Sequence, residues 1–286
     1  MGAKTKIDWV DATWNPVTGC LHGCEYCYAR RIAERFEPYE IYDPEMALQR
    51  HAIANKQLIG LGAPYVLDFP WQQRNKNGTI QNAPYPFGFV PTFHRYKLDE
   101  PQKWKKPRTI FVCSMADLFG EWVPDEWIDD VIKATQRALQ HRYLFLTKNP
   151  ERYGEWIERF ETCSIDGLDE VENCWFGASA SNNAEFERAN RSMAQWISIE
   201  PIRERIETDE DQFMEFNPYT GSERKRWAWV VIGAETGNSK NKVAPKREWI
   251  DDIATACADY GTPVFMKESL RDLMGDDFRQ EFPWEV

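Results

Sequence analysis

The sequence has no apolar run approaching the ~20 residues that a membrane-spanning helix requires, and its opening residues lack the apolar core of an export signal. Positive charge is not in excess either. Thirty-five Lys and Arg face 46 Asp and Glu, a formal net charge of −11, which argues against broad nucleic-acid binding through phosphate neutralisation while leaving room for a local basic groove. There is no internal repeat, no low-complexity block and no linker that divides the chain. Both nucleotide-binding glycine fingerprints are missing, since Gly233-Ala234-Glu235-Thr236-Gly237 has the glycines without the spacing. Also missing is the even, widely spaced cysteine set of a disulfide-stapled secreted domain; the chain has seven cysteines. These absences lead to the expectation of a cytoplasmic protein with reduced thiols and no membrane partner. With 286 residues, 42% of them hydrophobic and 14% aromatic, the chain has ample material for a core and is expected to form one domain over 1–286.

Three of the cysteines crowd into Cys20-Leu21-His22-Gly23-Cys24-Glu25-Tyr26-Cys27, a C-x3-C-x2-C run. Thiolates at such short spacing can converge on one metal site. Three of them can hold three irons of a [4Fe–4S] cluster and leave the fourth iron open to bind a substrate or cofactor. Gly19 and Gly23 permit the tight backbone turns that this requires, and Trp14, Tyr26 and Tyr28 are placed to limit solvent access. Two alternatives stand beside this. Cys20, Cys24 and Cys27 with His22 make a Cys3His zinc set, although His22 lies between two ligands where simultaneous coordination is strained. Plain buried thiols are the other, and Cys113, Cys163, Cys174 and Cys257 read as core residues of that kind.

From about Ile110 the chain alternates short apolar runs with helical stretches. The runs are Thr109–Cys113, Tyr143–Thr147, Cys174–Ala178, Trp196–Ile199, Trp229–Ile232 and Pro263–Met266. They lack a two-residue polarity alternation, as strands covered on both faces do. Asp125–Gln140 sets Trp127, Ile128, Val131, Ile132, Thr135 and Leu139 near one helical face, and Arg247–Tyr260 does the same with Ile250, Ile253, Ala254 and Cys257. A further strand is expected near Ile7–Val10. The pattern predicts an α/β fold with parallel strands, either a partial or distorted (β/α) barrel or a doubly wound sheet. Residues 37–108 interrupt it with nine prolines and the turn Asn75-Lys76-Asn77-Gly78. Apart from a helix over Pro44–Leu58, this stretch reads as a long irregular insertion after the cysteine loop, either a lid over the substrate or a packing arm. A polar loop is expected over Glu204–Arg226.

Barrel chemistry gathers at the C-terminal ends of the strands. The strand exits are Ser114-Met115-Ala116-Asp117, Thr147-Lys148-Asn149, Ser179-Ala180-Ser181-Asn182, Glu200-Pro201, Gly233 to Gly237, and Lys267-Glu268-Ser269. All are polar. Glu200, Glu235 and Lys267 are the catalytic candidates, and Asp117 reads equally well as a cap for the segment that begins at Leu118.

The cysteine run resembles the signature of the radical S-adenosylmethionine superfamily, with Tyr26 in its aromatic place. That resemblance implies a partial barrel, a [4Fe–4S] cluster on Cys20, Cys24 and Cys27, and S-adenosylmethionine bound at the open iron. A reducing partner such as flavodoxin or ferredoxin would deliver the electron that releases a 5′-deoxyadenosyl radical for hydrogen abstraction. Cofactor contacts are implied from Tyr26 and from the second, fourth and fifth strand exits, hence Ser114 and Asp117, Ser179 and Asn182, and Glu200. Where the superfamily has Gly-Gly-Glu after the second strand, this chain has Ser114-Met115-Ala116-Asp117. A narrower similarity covers Trp14–Tyr28, Pro91–His94, Ile110–Pro124, Phe145–Tyr153, Ser198–Pro201, Val230–Gly237 and Pro263–Leu270. On these stretches the chain is identified as a member of a bacteriophage-associated, radical-S-adenosylmethionine-like family with no assigned substrate. Asn15–Arg31 also resembles the cysteine loop of spore photoproduct lyase relatives. The expected activity is hydrogen abstraction from a small-molecule or nucleic-acid-derived substrate, such as a nucleobase or nucleotide. The alternatives are a DNA repair or modification protein, or a non-catalytic, metal-stapled binding module.

Overall fold

The computed structural model describes residues 5–36, 40–41, 65–163, 171–216, 223–237 and 241–285. The fold is α/β, a partial (β/α) barrel of seven parallel strands. We number these β1 (Ala12–Trp14), β2 (Thr109–Val112), β3 (Arg142–Thr147), β4 (Cys174–Ala180), β5 (Trp196–Ile199), β6 (Trp229–Ile232) and β7 (Val264–Met266), and they neighbour one another in chain order. The main helices are α1 (Tyr28–Arg35), α2 (Asp125–Gln136), α3 (Arg152–Cys163), α4 (Asn183–Asn190) and α5 (Arg247–Asp259). Among the described residues no helix is long and apolar enough to cross a membrane.

The chain divides into two compact units, Ala12–Tyr143 and Lys4–Asp11 with Leu144–Val286. In the first, β1 and β2 pair in parallel with Trp14 opposite Val112. Every residue of β2 is buried, as its unbroken apolar run requires. Helix α2 buries Trp127, Ile128, Val131, Ile132 and Thr135 on the expected face, and Trp127 stacks on Phe93 at 5.0 Å between ring centroids. It ends at Gln136, however, and Leu139 beyond it is 64% exposed. The described part of the 37–108 stretch is less irregular than its prolines imply. Thr92–His94 lies between Val17–Thr18, antiparallel, and Tyr65–Leu67, parallel, while Gln72–Arg74 pairs antiparallel with both Glu40–Ile41 and Ile80–Asn82. Pro91 precedes its strand and Pro84 and Pro86 follow theirs, so none interrupts a ladder. The helix expected over Pro44–Leu58 lies outside the described residues.

In the second unit β4, β5, β6 and β7 pair in parallel. Gly177 sits opposite Trp196, and a Cβ there would stand 2.2 Å from the indole Cε2, so the glycine makes room for a fully buried tryptophan. The strand expected near Ile7–Val10 does not form, and the first strand is β1. Trp9 instead plugs an aromatic cluster edge-on, 5.5 Å from Trp196 and 6.0 Å from Trp229. The apolar run reflects that plug, not a ladder. Glu204–Arg226 contains the short helix Glu210–Phe213 and an antiparallel pair, Met214–Phe216 with Glu223–Lys225.

Arg226 closes this region. Its guanidinium donates to the carbonyls of Ala189, Asn190, Ser192 and Ala194 at 2.7–3.0 Å and lies 4.0 Å over the Trp227 ring. It thus satisfies carbonyls that the end of α4 leaves without intrahelical donors. Arg226→Ala is expected to cost ~3 kcal/mol, read as a lower denaturant midpoint. Arg226→Lys should recover little, because an ammonium cannot reproduce the planar fork.

Candidate metal centre

The cysteine loop connects the end of β1 to α1, and the first unit holds it at several points. Gly19 has φ +88°, Gly23 has φ +71°, and both therefore use the left-handed region that glycine tolerates best. Gly19 also approaches Val90 so closely that a Cβ would lie 2.3 Å from the Val90 carbonyl oxygen. The Gly19 N–H donates to the Met115 carbonyl at 2.9 Å, and Cys20 N–H to the Phe89 carbonyl at 3.3 Å. The β2 exit supplies the other wall. Cys113, with φ +56°, turns the chain after β2 and is tied back to the Trp14 carbonyl through its N–H at 2.8 Å. Asn15 Oδ1 then accepts from Ser114 Oγ at 3.1 Å and from Met115 N–H at 3.0 Å. Tyr28, at the start of α1, donates its hydroxyl to the Ser114 carbonyl at 2.6 Å.

Cys20, Cys24 and Cys27 are half-buried and none is in a disulfide. Cys27 caps α1, its sulfur accepting from Arg30 N–H at 3.3 Å. Burial pushes the Cys20 thiol up to about 12, with Asp117, Cys24 and Cys27 adding to the rise and the His22 main-chain N–H opposing it. A sulfur so placed keeps its proton at neutral pH until a cation displaces it. Among the described residues no three His, Cys, Asp or Glu side chains converge as the ligands of a single ion do. A cubane asks for something else, since each of its three sulfurs binds a different iron and the sulfurs therefore stand further apart. Three soft donors on one short, glycine-hinged loop fit an iron–sulfur cluster in donor chemistry.

His22, raised above as a fourth zinc ligand, gives Nε2 to Asp117 Oδ2 at 2.7 Å, while Asp117 Oδ1 accepts from Phe119 N–H at 3.1 Å. Asp117 is therefore both the turn cap and the partner of the loop histidine. Trp122 meets the His22 imidazole edge-on at 4.8 Å between ring centroids, and the roles of Asn15, His22 and Trp122 were not read from the sequence. For Asn15 a signal was available in the Asn15-Pro16 step just after β1; for Trp122 there was none.

The structure places Ser114, Asp117 and Tyr26 in the unit that carries the cysteines, and Ser179, Asn182, Glu200, Glu235 and Lys267 in the other. There Asn182 caps α4 by accepting from Glu185 N–H at 2.9 Å, and Ser179 is half-buried near the end of β4. Lys267 Nζ donates to Glu200 Oε1. Gly233 makes that ion pair feasible, because a Cβ there would meet Lys267 Cδ at 2.9 Å and Glu200 Cγ at 3.1 Å. Glu235 is only 5% exposed, and its Oε2 has no hydrogen-bond partner among the described residues.

Residues 4–271 match the model of a family described as "Protein of unknown function (DUF5131)". No curated protein matches the chain. Among solved structures, a cysteine-to-serine mutant of spore photoproduct lyase is similar with a TM-score of 0.47 and 11% identity, over 93% of this chain and 79% of that one.

Proposed function

The chain belongs to the DUF5131 family, and we propose that it is a radical S-adenosylmethionine enzyme whose cysteine loop binds a [4Fe–4S] cluster through Cys20, Cys24 and Cys27. One observation carries the reading. Three half-buried cysteines, none of them in a disulfide, share one C-x3-C-x2-C loop, close enough for Cys24 and Cys27 to raise the Cys20 thiol. The cluster, once bound and reduced by a donor such as flavodoxin or ferredoxin, would supply the electron that splits S-adenosylmethionine into methionine and a 5′-deoxyadenosyl radical.

The chain's own residues have separate tasks in this proposal. Gly19 and Gly23 let the loop curl, and the Asn15, Ser114 and Tyr28 bonds hold it on the β2 exit. Tyr26 and Ser114 are proposed to contact the cofactor beside the loop, with Asp117 reaching it only by loosening His22. In the other unit Ser179 and Asn182 carry donor and acceptor groups of the kind that suit ribose hydroxyls. Glu200 and Lys267 form a fixed dipolar pair, and Glu235 offers a buried carboxylate oxygen in need of a donor. Together these three groups suit a polar substrate with N–H or O–H groups, such as a nucleobase or nucleotide, which also accords with the phage-associated resemblance of the sequence.

Anaerobic protein reduced with dithionite in the presence of S-adenosylmethionine is expected to form 5′-deoxyadenosine, detected by chromatography against the unreduced control. Iron-loaded protein that forms none under these conditions would sink the proposal.

A further inference from the structure

The exits of β5, β6 and β7 form one register row. Ile199 pairs with Ile232 and Ile232 with Met266, so the residues that follow, Glu200, Gly233 and Lys267, stand side by side. The outer two side chains meet over Gly233, where a Cβ would touch both, and this fixes the face on which they lie. Ser198, two residues before Glu200, shares that face by strand alternation. It is fully buried, and its Oγ has no hydrogen-bond partner among the described residues. Glu235 follows Gly233 by two residues, on a segment held by the bond from Ala234 N–H to Ser269 Oγ at 3.0 Å. Its Oε2 is buried and equally without a partner among the described residues.

Two buried, unpartnered oxygens so close to one ion pair are costly for a folded chain to keep. A ligand that hydrogen-bonds to them would remove the cost. What it must offer follows from the groups themselves. A carboxylate accepts, so Glu235 calls for a donor. An ammonium donates, and Lys267 has three N–H groups with which to serve both Glu200 and a ligand acceptor.

We propose that the β5–β7 exits bind the Watson–Crick edge of a nucleobase, with its N–H on Glu235 and the neighbouring acceptor on Lys267. The base is then unpaired when bound, as a free nucleoside or a base outside a duplex is. The inference deepens the reading above and rests on its placing of Glu200, Glu235 and Lys267 at the substrate, not on the cluster.

The test is calorimetric titration of the full chain with four nucleosides, each beside a partner in which that N–H is methylated. The pairs are uridine and 3-methyluridine, guanosine and 1-methylguanosine, adenosine and N6,N6-dimethyladenosine, and cytidine and N4,N4-dimethylcytidine. In at least one pair the unmethylated nucleoside should bind about tenfold or more tighter, as a hydrogen bond to a charged group gives, and that pair names the base. Glu235→Gln keeps the size of the side chain and should lose most of the preference, because a neutral amide is a weaker acceptor. Its denaturant midpoint should equal or exceed that of wild type, since the carboxylate oxygen has no partner to lose. Absence of a preference in all four pairs overturns the proposal, as does a preference that Glu235→Gln retains. A midpoint below wild type in Glu235→Gln would show a carboxylate tied into the fold, and overturns it too. Binding needs no turnover, so the two readings separate. Iron-free chain that prefers the unmethylated base supports this proposal while the radical reading fails. Chain that forms 5′-deoxyadenosine yet treats every pair alike does the reverse.

Discussion

Cys24→Ala, and equally Cys20→Ala or Cys27→Ala, is expected to leave a chain that takes up little or no iron and forms no 5′-deoxyadenosine. Three thiolates are the minimum set for a cluster with one open iron, and the loss of any one leaves only two protein sulfurs to hold it. The comparison that gives this result meaning is Cys257→Ala. Cys257 is fully buried on α5 among Ile250, Ile253 and Ala254, in the unit that does not carry the loop. Its replacement removes a small apolar group from a core and should cost ~1 kcal/mol of stability. Iron content should not change. Equal loss of iron in Cys257→Ala and Cys24→Ala would mean that the ligands have been misassigned.

The second large effect is expected at Gly19. Alanine there must adopt φ +88°, which alone costs ~1 kcal/mol or more. Its Cβ would also press on the Val90 carbonyl at 2.3 Å and on the Pro91 nitrogen at 2.7 Å. Both obstacles are main-chain atoms and neither can swing aside. The loop would have to leave its seat, breaking the bonds from Gly19 N–H to Met115 and from Cys20 N–H to Phe89. Gly19→Ala should therefore lose ~3 kcal/mol or more and most of its iron, measured by denaturant unfolding of the iron-free chain and by metal analysis after reconstitution. Gly23→Ala is the matched control. It has φ +71° with nothing within 4 Å of a Cβ, so only the backbone term applies, ~1 kcal/mol. Similar losses at the two glycines would show that the Val90 contact does not hold the loop.

The two glycines also mark where sequence reasoning reached and where it stopped. Both turns were legible, because glycine beside closely spaced cysteines is a local pattern. The six strands after residue 108 were legible for the same reason: unbroken runs such as Thr109–Val112 and Trp229–Ile232 admit few other structures. Leu139 misled because it falls in the helical phase of α2 but beyond its last turn, where it is exposed. Ile7–Val10 misled because one apolar run serves a strand or an aromatic plug equally well, and only Trp196 and Trp229 decide between them. His22 was the hardest to read. Its type and position match a metal ligand, and its use depends on Asp117 and Trp122, which only the fold brings near. The pairing of Lys267 with Glu200 is also long-range, made possible by the missing Cβ of Gly233, the residue just past β6.

In the proposed enzyme three sulfurs from one loop hold a four-iron cluster and leave one iron without a protein ligand. Mössbauer spectroscopy of anaerobically prepared, iron-57-labelled protein, with and without S-adenosylmethionine, addresses it most directly. About four irons per chain, one of which changes its parameters when S-adenosylmethionine is added, is the predicted result. A spectrum that S-adenosylmethionine leaves unaltered, or a chain holding a single zinc ion and no iron, would contradict it.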